Sequence, residues 1–320
     1  MLRLLRAGGT ALETVKAGPK WQLPRDAIWI DLCNPTREEE VCLEAALKLE
    51  LPTREEMAEI EQSSRLYQEN GATFMTAAIL THATTDYPLL APVTFVLAEH
   101  RLITIRYAEP SAFKAYIAQM ERTPGTPATG GELFLGLIDA VVDRVADILE
   151  GVASDVEETS QDIFRRPRRS GGFEPVIFQL GRAQLVDAKA RASLASLARL
   201  ISFASLANQL DSVPDLREHL RSLQHDIQSL TDHAGYVSSN ITFLLDAALG
   251  LINIEQNTVG KVFSVVSVLF LPAMLIASIY GMNFHHMPEL AWIHGYPMAL
   301  TLMALSMLAG FGWLKWRGWL

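Results

Sequence analysis

From Leu216 onward, apolar residues recur at spacings of four and three: Leu216, Leu220, Leu223, Ile227, Leu230, Ala234, Val237, Ile241, Leu244, Ala248 and Leu251. An unbroken seam of this kind is the pattern of a long helix packed lengthwise against others. Pro214 suits its first turn, and no breaker intervenes before Pro272. One helix is therefore predicted from about 214 to about 280, roughly 100 Å at about 1.5 Å per residue. Upstream, 131–166 and 174–208 read as two further helices, joined by RRPRRSGG (165–172), whose Pro and Gly pair mark a turn. Residues 1–125 differ. IWIDL (28–32), TFMTAAIL (73–80), PVTFVLAE (92–99) and RLITIRY (101–107) are β-like, with EH between the last two suiting a hairpin, whereas 36–50 and 109–122 are helical. TPGTPATGG (123–131) marks the boundary.

Two C-terminal segments, 262–280 and 296–314, hold nineteen residues each without a charge. Nineteen residues in a helix span about 28 Å, close to the roughly 30 Å hydrocarbon core of a bilayer. Aromatic flanks (Trp292, Tyr296, Trp313, Trp316, Trp319) strengthen the membrane reading. Lys261 precedes the first span, Lys315 and Arg317 follow the second, and 281–295 has no Lys or Arg. The positive-inside bias then leaves both termini in the cytoplasm and turns the loop outward. The expected order is a cytoplasmic α/β domain (1–125), a helical hairpin (126–212), a stalk helix (213–261), a first transmembrane helix (262–283), an outer loop (284–295), a second transmembrane helix (296–314) and a basic tail (315–320). The fold class is an α+β cytoplasmic domain with a long helical stalk leading into two transmembrane helices, multi-pass in a bacterial-type cell membrane.

Charge sharpens the division. Of 27 Lys+Arg and 36 Asp+Glu, only Lys315, Arg317 and Glu289 fall after residue 261, so the preceding body carries a net −10. That balance argues against nucleic acid, whose binding rests on Lys/Arg neutralising phosphates, and favours small cations. Cys33 and Cys42 are too few for a disulfide framework or a cysteine zinc site and read as packing residues. The N-terminal MLRLLRAGGTALETV has no apolar run long enough for a signal peptide.

The predicted long helix carries a second stripe. Every seventh residue from Asp232 reads Asp232, Ser239, Asp246, Asn253, Gly260, Ser267 and Met274, with companions Gly235, Thr242, Gly250, Asn257, Ser264, Leu271 and Ser278. Polar residues inside a span are costly unless they face water or a partner. Small helix–helix contacts would use the same residues, but the stripe continues past the membrane into the soluble part. It would line a central axis if several copies stood in a ring. Two spans cannot enclose a pore, so a channel implies an oligomer with the first span inside. Leu271 and Met274 then act as apolar constrictions.

At the outer end stands YGMNF (280–284), with MPEL (287–290) and GYP (295–297) in the loop, FSVVSVLFLP (263–272) in the span and LKWRGWL closing the chain. In combination these motifs resemble the CorA family of divalent-cation transporters. They cover about sixty residues, and the remaining 260 match in architecture only. The resemblance implies a funnel-shaped homopentamer in membrane lipid, gated by intracellular Mg²⁺, with Gly281, Met282 and Asn283 as the selectivity ring. Carried-over pore positions are Asn257, Phe263, Leu271, Met274 and Ser278, joining Asp246, Asn253, Gly260 and Ser267 of the stripe. Glu289 is the loop acid that concentrates cations. Mg²⁺ dehydrates reluctantly, so neutral oxygens such as the Asn283 amide and the Gly281 carbonyl suit its water shell. Glycine at 281 is expected to let the backbone turn toward the ion.

Met274 and Ser278 depart from the expected pattern, as does His285, where an acid is usual. His285, His286 and His294 admit three readings: solvated loop residues, a site for Zn²⁺, Co²⁺ or Ni²⁺, or a pH-sensitive mouth. The leading expectation is Mg²⁺ influx. The alternatives are a zinc transporter of the ZntB type, with or without proton coupling, and a membrane-anchored sensor or scaffold. No enzyme motif is present: there is no P-loop, dinucleotide fingerprint, H-E-x-x-H or G-x-S-x-G. Regulatory metal ligands are not assignable, although Asp215, Glu218 and Asp226 are candidates against a solvated helix face. The RRPRR turn fits anionic lipid, salt bridges to a neighbour or plain solvation.

Overall fold

A computed structural model describes the chain except residues 17, 19–20, 60, 86, 123–126, 166–171, 208–209, 211–212, 284, 286 and 320. Residues 166–171 of the basic turn and 123–126 of the boundary segment lie outside the described residues. Two compact units result, Met1–Leu245 and Asp246–Leu320.

The first unit is built on one sheet of strands β1 (Leu2–Arg6), β2 (Glu13–Val15), β3 (Ala27–Cys33), β4 (Leu66–Glu69), β5 (Ala72–Thr81), β6 (Leu89–Ala98) and β7 (Arg101–Arg106). Their order is β2-β1-β3-β7-β6-β5-β4. Pairing is antiparallel throughout except between β3 and β7, which run parallel. The sheet is covered on both faces, which is why β3, β5 and β7 read as near-continuous apolar runs. Because side chains alternate along a strand, Trp29, Met75 and Phe95 face one core and Ile30, Phe74 and Val96 the other. Helices α1 (Arg37–Leu47) and α2 (Arg54–Ala58) contribute Leu43 and Met57 to the second core. Capping boxes start both, Thr36 with Glu39 and Thr53 with Glu56. A single-turn helix, α3 (Gln62–Arg65), leads into β4.

The opposite core is larger. It is filled by α4 (Ser111–Arg122), α5 (Gly130–Arg165), α6 (Glu174–Ala204) and the first half of α7 (Pro214–Tyr280). Gly130 lies so close to β7 that a Cβ there would collide with the Arg101–Leu102 backbone, and its N–H donates to the His100 carbonyl. Pro214 opens α7, as expected, and the seam is inside: all eleven positions but Leu230 and Leu251 are buried, and those two are half-buried. Helix α6 stops at Ala204, four residues before the predicted end at 208, with Ser205 capping onto Ile201.

Cross-helix contacts fix directions. His219 meets Asp139 and Phe243 stacks on Phe164, so α7 runs with α5; from the antiparallel α6, Gln184 donates to Ser238 of α7. Helix α6 also finishes the sheet. β4 pairs only with residues 72–75 of the ten-residue β5. Further along that edge, the Ala78 and Leu80 N–H groups donate to Ser196 Oγ (3.0 Å) and Ser193 Oγ (3.2 Å).

An ion pair, Asp31 with Arg106, is buried inside the sheet. Asp31 accepts from Arg106 Nε and Nη2 (3.0 Å each), Arg3 Nε (3.0 Å) and Thr104 Oγ1 (2.8 Å), while Trp29 Nε1 donates to Thr104 Oγ1. Burial alone would raise its pKa. The hydrogen bond and charge of Arg106, with those of Arg3 and Thr104, outweigh burial and hold the carboxyl below the usual range. Cys33 is buried and Cys42 half-buried; both are free thiols.

Candidate functional site

The second unit contains the end of α7, the loop after it and α8 (Gly295–Trp316). Both helices are long and apolar enough to cross a membrane. The last helix begins one residue before and ends two residues after the predicted 296–314 span.

In the span of α7, the half-buried residues are Val265, Val268, Leu269, Pro272, Ala273, Ile276 and Tyr280. This is the side against α8: a Cβ on Gly310 would sit 3.1 Å from the Val268 carbonyl oxygen and 3.6 Å from its Cγ1. Ser267, Leu271, Met274 and Ser278 each lie two residues beyond a member of that row. At 3.6 residues per turn, two residues are about 200°, so the stripe faces away from α8. Its members Asp246, Asn253, Asn257, Gly260, Phe263, Ser267, Leu271, Met274 and Ser278 are all exposed in the single chain. A straight α-helix drifts about 20° per heptad, so the stripe winds gently along it.

Hydroxyls on this face are oriented by the helix itself. Ser264 Oγ donates to the Gly260 carbonyl (2.9 Å), and Ser239 and Thr242 donate likewise to Gly235 and Ser238 (3.0 Å each). With each proton used inside the helix, the oxygen lone pairs are left for a ligand outside it. These hydroxyls are acceptors, the polarity a cation requires.

Helix α7 stops at Tyr280. Gly281 N–H still donates to Ala277 (2.9 Å) and Met282 N–H to Ile279 (3.3 Å), after which Asn283 leaves the helical pattern. Gly281, Met282 and Asn283 are exposed. Gly281 stands in the turn that ends the helix and is not among the positive-φ glycines. Glycine serves closeness instead, since a Cβ would lie 3.2 Å from the Ala277 carbonyl oxygen.

Beyond lies a short loop. His285 is exposed, while Phe284 and His286 lie outside the described residues. Pro288–Ala291 form a 3₁₀ turn carrying the exposed Glu289, within what the sequence suggested was plain loop. Pro288 at its first position supplies the fixed φ. Gly295 is buried, and a Cβ on it would collide with the Glu289 carbonyl oxygen, so the turn folds onto the start of α8. His294 packs its ring 5.7 Å from that of Trp292. At the far end, Arg317 lies over the Trp313 ring at 5.6 Å.

Sequence reasoning missed one polar cluster in the first unit. Asp139 on α5 and His219 on α7 approach to 2.6 Å, both 40% exposed. Burial pushes the Asp139 carboxyl up; His219 opposes this, and Asp143 and Asp226 add to it. Asp139 and His219 are eighty residues apart, which no local pattern reveals. Asp215, Glu218 and Asp226 are exposed. Among the described residues, no group of three or more His, Cys, Asp or Glu is arranged to hold a metal ion.

Known proteins share this architecture. The magnesium transport protein CorA of Haemophilus ducreyi is 35% identical over 320 residues, covering all of both chains. The complete structure of the CorA magnesium transporter from Methanocaldococcus jannaschii superposes with a TM-score of 0.76 at 18% identity, over 100% of this chain and 99% of that one. The ZntB cytoplasmic domain from Vibrio parahaemolyticus gives 0.55 at 12% identity over 70% of this chain and 87% of its own. The two structural likenesses bear on fold alone. The model of the CorA-like Mg²⁺ transporter protein family matches residues 25–316, and with the full-length identity to a curated member, the chain belongs to that family.

Proposed function

We propose that this chain carries divalent cations, Mg²⁺ first, across a bacterial cell membrane as a homopentameric channel. The observation that carries the reading is the outward stripe from Asp246 to Ser278, opposed to α8 and ending at Gly281-Met282-Asn283. In a ring of five, α7 lines the pore and α8 meets lipid. The soluble part (1–125 and 126–212), the stalk (213–261) and the tail (315–320) lie in the cytoplasm, and 262–283 and 296–314 cross the bilayer around the loop 284–295. Support for the ion comes from the relatives named as magnesium transport proteins.

The chemistry fits a hydrated ion. Neutral oxygens at the mouth, from Asn283 and the Gly281 carbonyl, can hydrogen-bond the water shell without binding it too tightly for release. Glu289 raises the local cation concentration. Leu271 and Met274 narrow the path with apolar side chains. A negative-inside potential of 100 mV favours entry of a divalent ion by about 4.6 kcal/mol, so a passive pore imports. Rising cytoplasmic Mg²⁺ closes it, in a body whose charge of −10 suits cation binding. No enzymatic step is assigned.

The test is uptake in proteoliposomes at imposed negative-inside potential, with Asn283→Ala as control. Mg²⁺ flux that follows the potential and disappears in the variant is expected. A second reading, a proton-coupled Zn²⁺ transporter, rests on the loop histidines His285 and His294. Zn²⁺ flux that needs a proton gradient, with Mg²⁺ inert, would replace the first reading by the second. Co²⁺ and Ni²⁺ belong in the same assay.

A further inference from the structure

Helix α6 buries an acid that none of the preceding roles uses. Asp187 is fully buried, and neither of its carboxyl oxygens has a hydrogen-bond partner. Gln184, one turn earlier on the same face, has its Oε1 buried and unpartnered too, while its Nε2 donates to Ser238 Oγ on α7 at 3.3 Å. Three acceptors are thus shut into the α6–α7 contact with no donor. A buried carboxylate without a donor carries the full cost of its lost hydration, and a buried amide oxygen adds its own.

The surroundings do not neutralise it. From α6 itself the ionisable neighbour is Arg191, and from α7 it is His233; both side chains are exposed. On α5, the buried positions Val152, Val156, Thr159 and Ile163 are uncharged, and the Thr159 hydroxyl is spent on the Asp155 carbonyl. The sheet approaches the same helix through β5, whose last residues Leu80 and Thr81 are also uncharged. Charge at the rim and acceptors inside leave one species that satisfies two groups at once without occupying space.

We propose that Asp187 is a proton-binding site: its neutral carboxyl donates the bound proton to Gln184 Oε1, and ionisation loosens the contact between α6 and α7. Acid therefore tightens the grip of α6 on the helix that continues to Tyr280. Burial pushes the carboxyl up to about 6, with Arg191 and then His233 pulling the other way. The folded-state value is raised, so the stabilisation is complete below the unfolded value near 3.9 and is lost as pH rises through about 6. Two pH units correspond to a roughly 100-fold fall in the folded-to-unfolded ratio across that window.

The experiment compares full-length wild type with Asp187→Asn, which keeps the shape and cannot ionise, in detergent from pH 4.5 to 8. Thermal midpoints are read alongside the infrared band of protonated carboxyls. The wild type should lose stability relative to the variant up to about pH 6 to 7 and then run parallel to it. A carboxylic-acid band titrating over the same range should be missing from the variant. A gap that stays constant with pH, with no such band, would mean that Gln184 turns its amide N–H toward an ionised Asp187, and would overturn the proposal. So would stabilisation at fixed pH by NaCl or MgCl₂ in wild type but not in the variant, because a metal ion would then occupy the site. The infrared band is read in folded wild type, so the test survives if the variant fails to fold.

Discussion

Replacing Asp31 by Asn keeps the shape of the side chain and removes the charge on which Arg106 and Arg3 converge. Arg106 has 3% of its side chain exposed and Asp31 none, so the change strands a guanidinium in the sheet interior. Breaking a buried pair in this way costs about 3–5 kcal/mol. Arg3, with 20% of its side chain exposed, recovers some hydration and adds little. For a unit of this size each kcal/mol lowers the midpoint by about 2–4 °C, so a fall of roughly 6–20 °C is expected. Scanning fluorimetry on the purified full-length protein is the assay, and Trp29, bonded to Thr104 in the same network, is a local reporter. The pKa of Asp31 is depressed in the fold, so its contribution is present at neutral pH and lost as pH falls through the folded value. Wild type and variant should therefore converge in acid. A shift below about 2 °C at neutral pH, or a gap that persists unchanged in acid, would refute the account. Asp31→Leu combined with Arg106→Met should be less harmful than either alone, because the pair leaves together.

Three further outcomes follow from close contacts. Gly310→Leu should weaken packing between α7 and α8, seen as a lower thermal midpoint or dissociation on size-exclusion chromatography, whereas Gly312→Leu, with nothing within 4 Å of its Cβ position, should not. Gly130→Ala should lower soluble expression and the unfolding midpoint of the first unit, since its methyl group meets backbone that cannot turn aside. Ser193→Ala should cost about 1–3 kcal/mol by leaving the Leu80 N–H unpaired, and faster hydrogen exchange at Leu80 than at Ile79 or Thr81 would identify the cause.

The long helix was legible because its periodicity is its packing: of the eleven positions that set the seam, nine are buried and two half-buried. The four apolar strands were legible for a similar reason, since a sheet buried on both faces writes unbroken apolar runs. β1, β2 and β4 escaped notice. In LRLLR, Arg3 breaks the pattern, and its place inside makes sense only with Asp31, paired across strands that are 28 residues apart. LYQE on the edge strand β4 carries too little apolar surface to announce itself. The stripe was visible as a period of seven, but its opposition to α8 needed both helices. Gly281-Met282-Asn283 was picked out by resemblance alone, because the physics of a helix end does not distinguish a filter from a turn. Asp187 sits in a helix whose polarity pattern gives no hint that one acid faces inward.

The two serines that complete the β5 edge set a schedule for synthesis. Ser193 and Ser196 lie 113 and 118 residues after the groups they cap. At roughly 5–20 residues per second on the ribosome, the strand waits for something like 6–24 s with its backbone open, while β4, β6 and β7 are already available to pair. During that interval the nascent sheet offers a free edge to any other emerging chain. Arrival of α6 closes it. A pause in translation between β7 and α6, or a truncation before residue 193, should therefore divert the chain toward strand-to-strand aggregation, well before any membrane segment has been made.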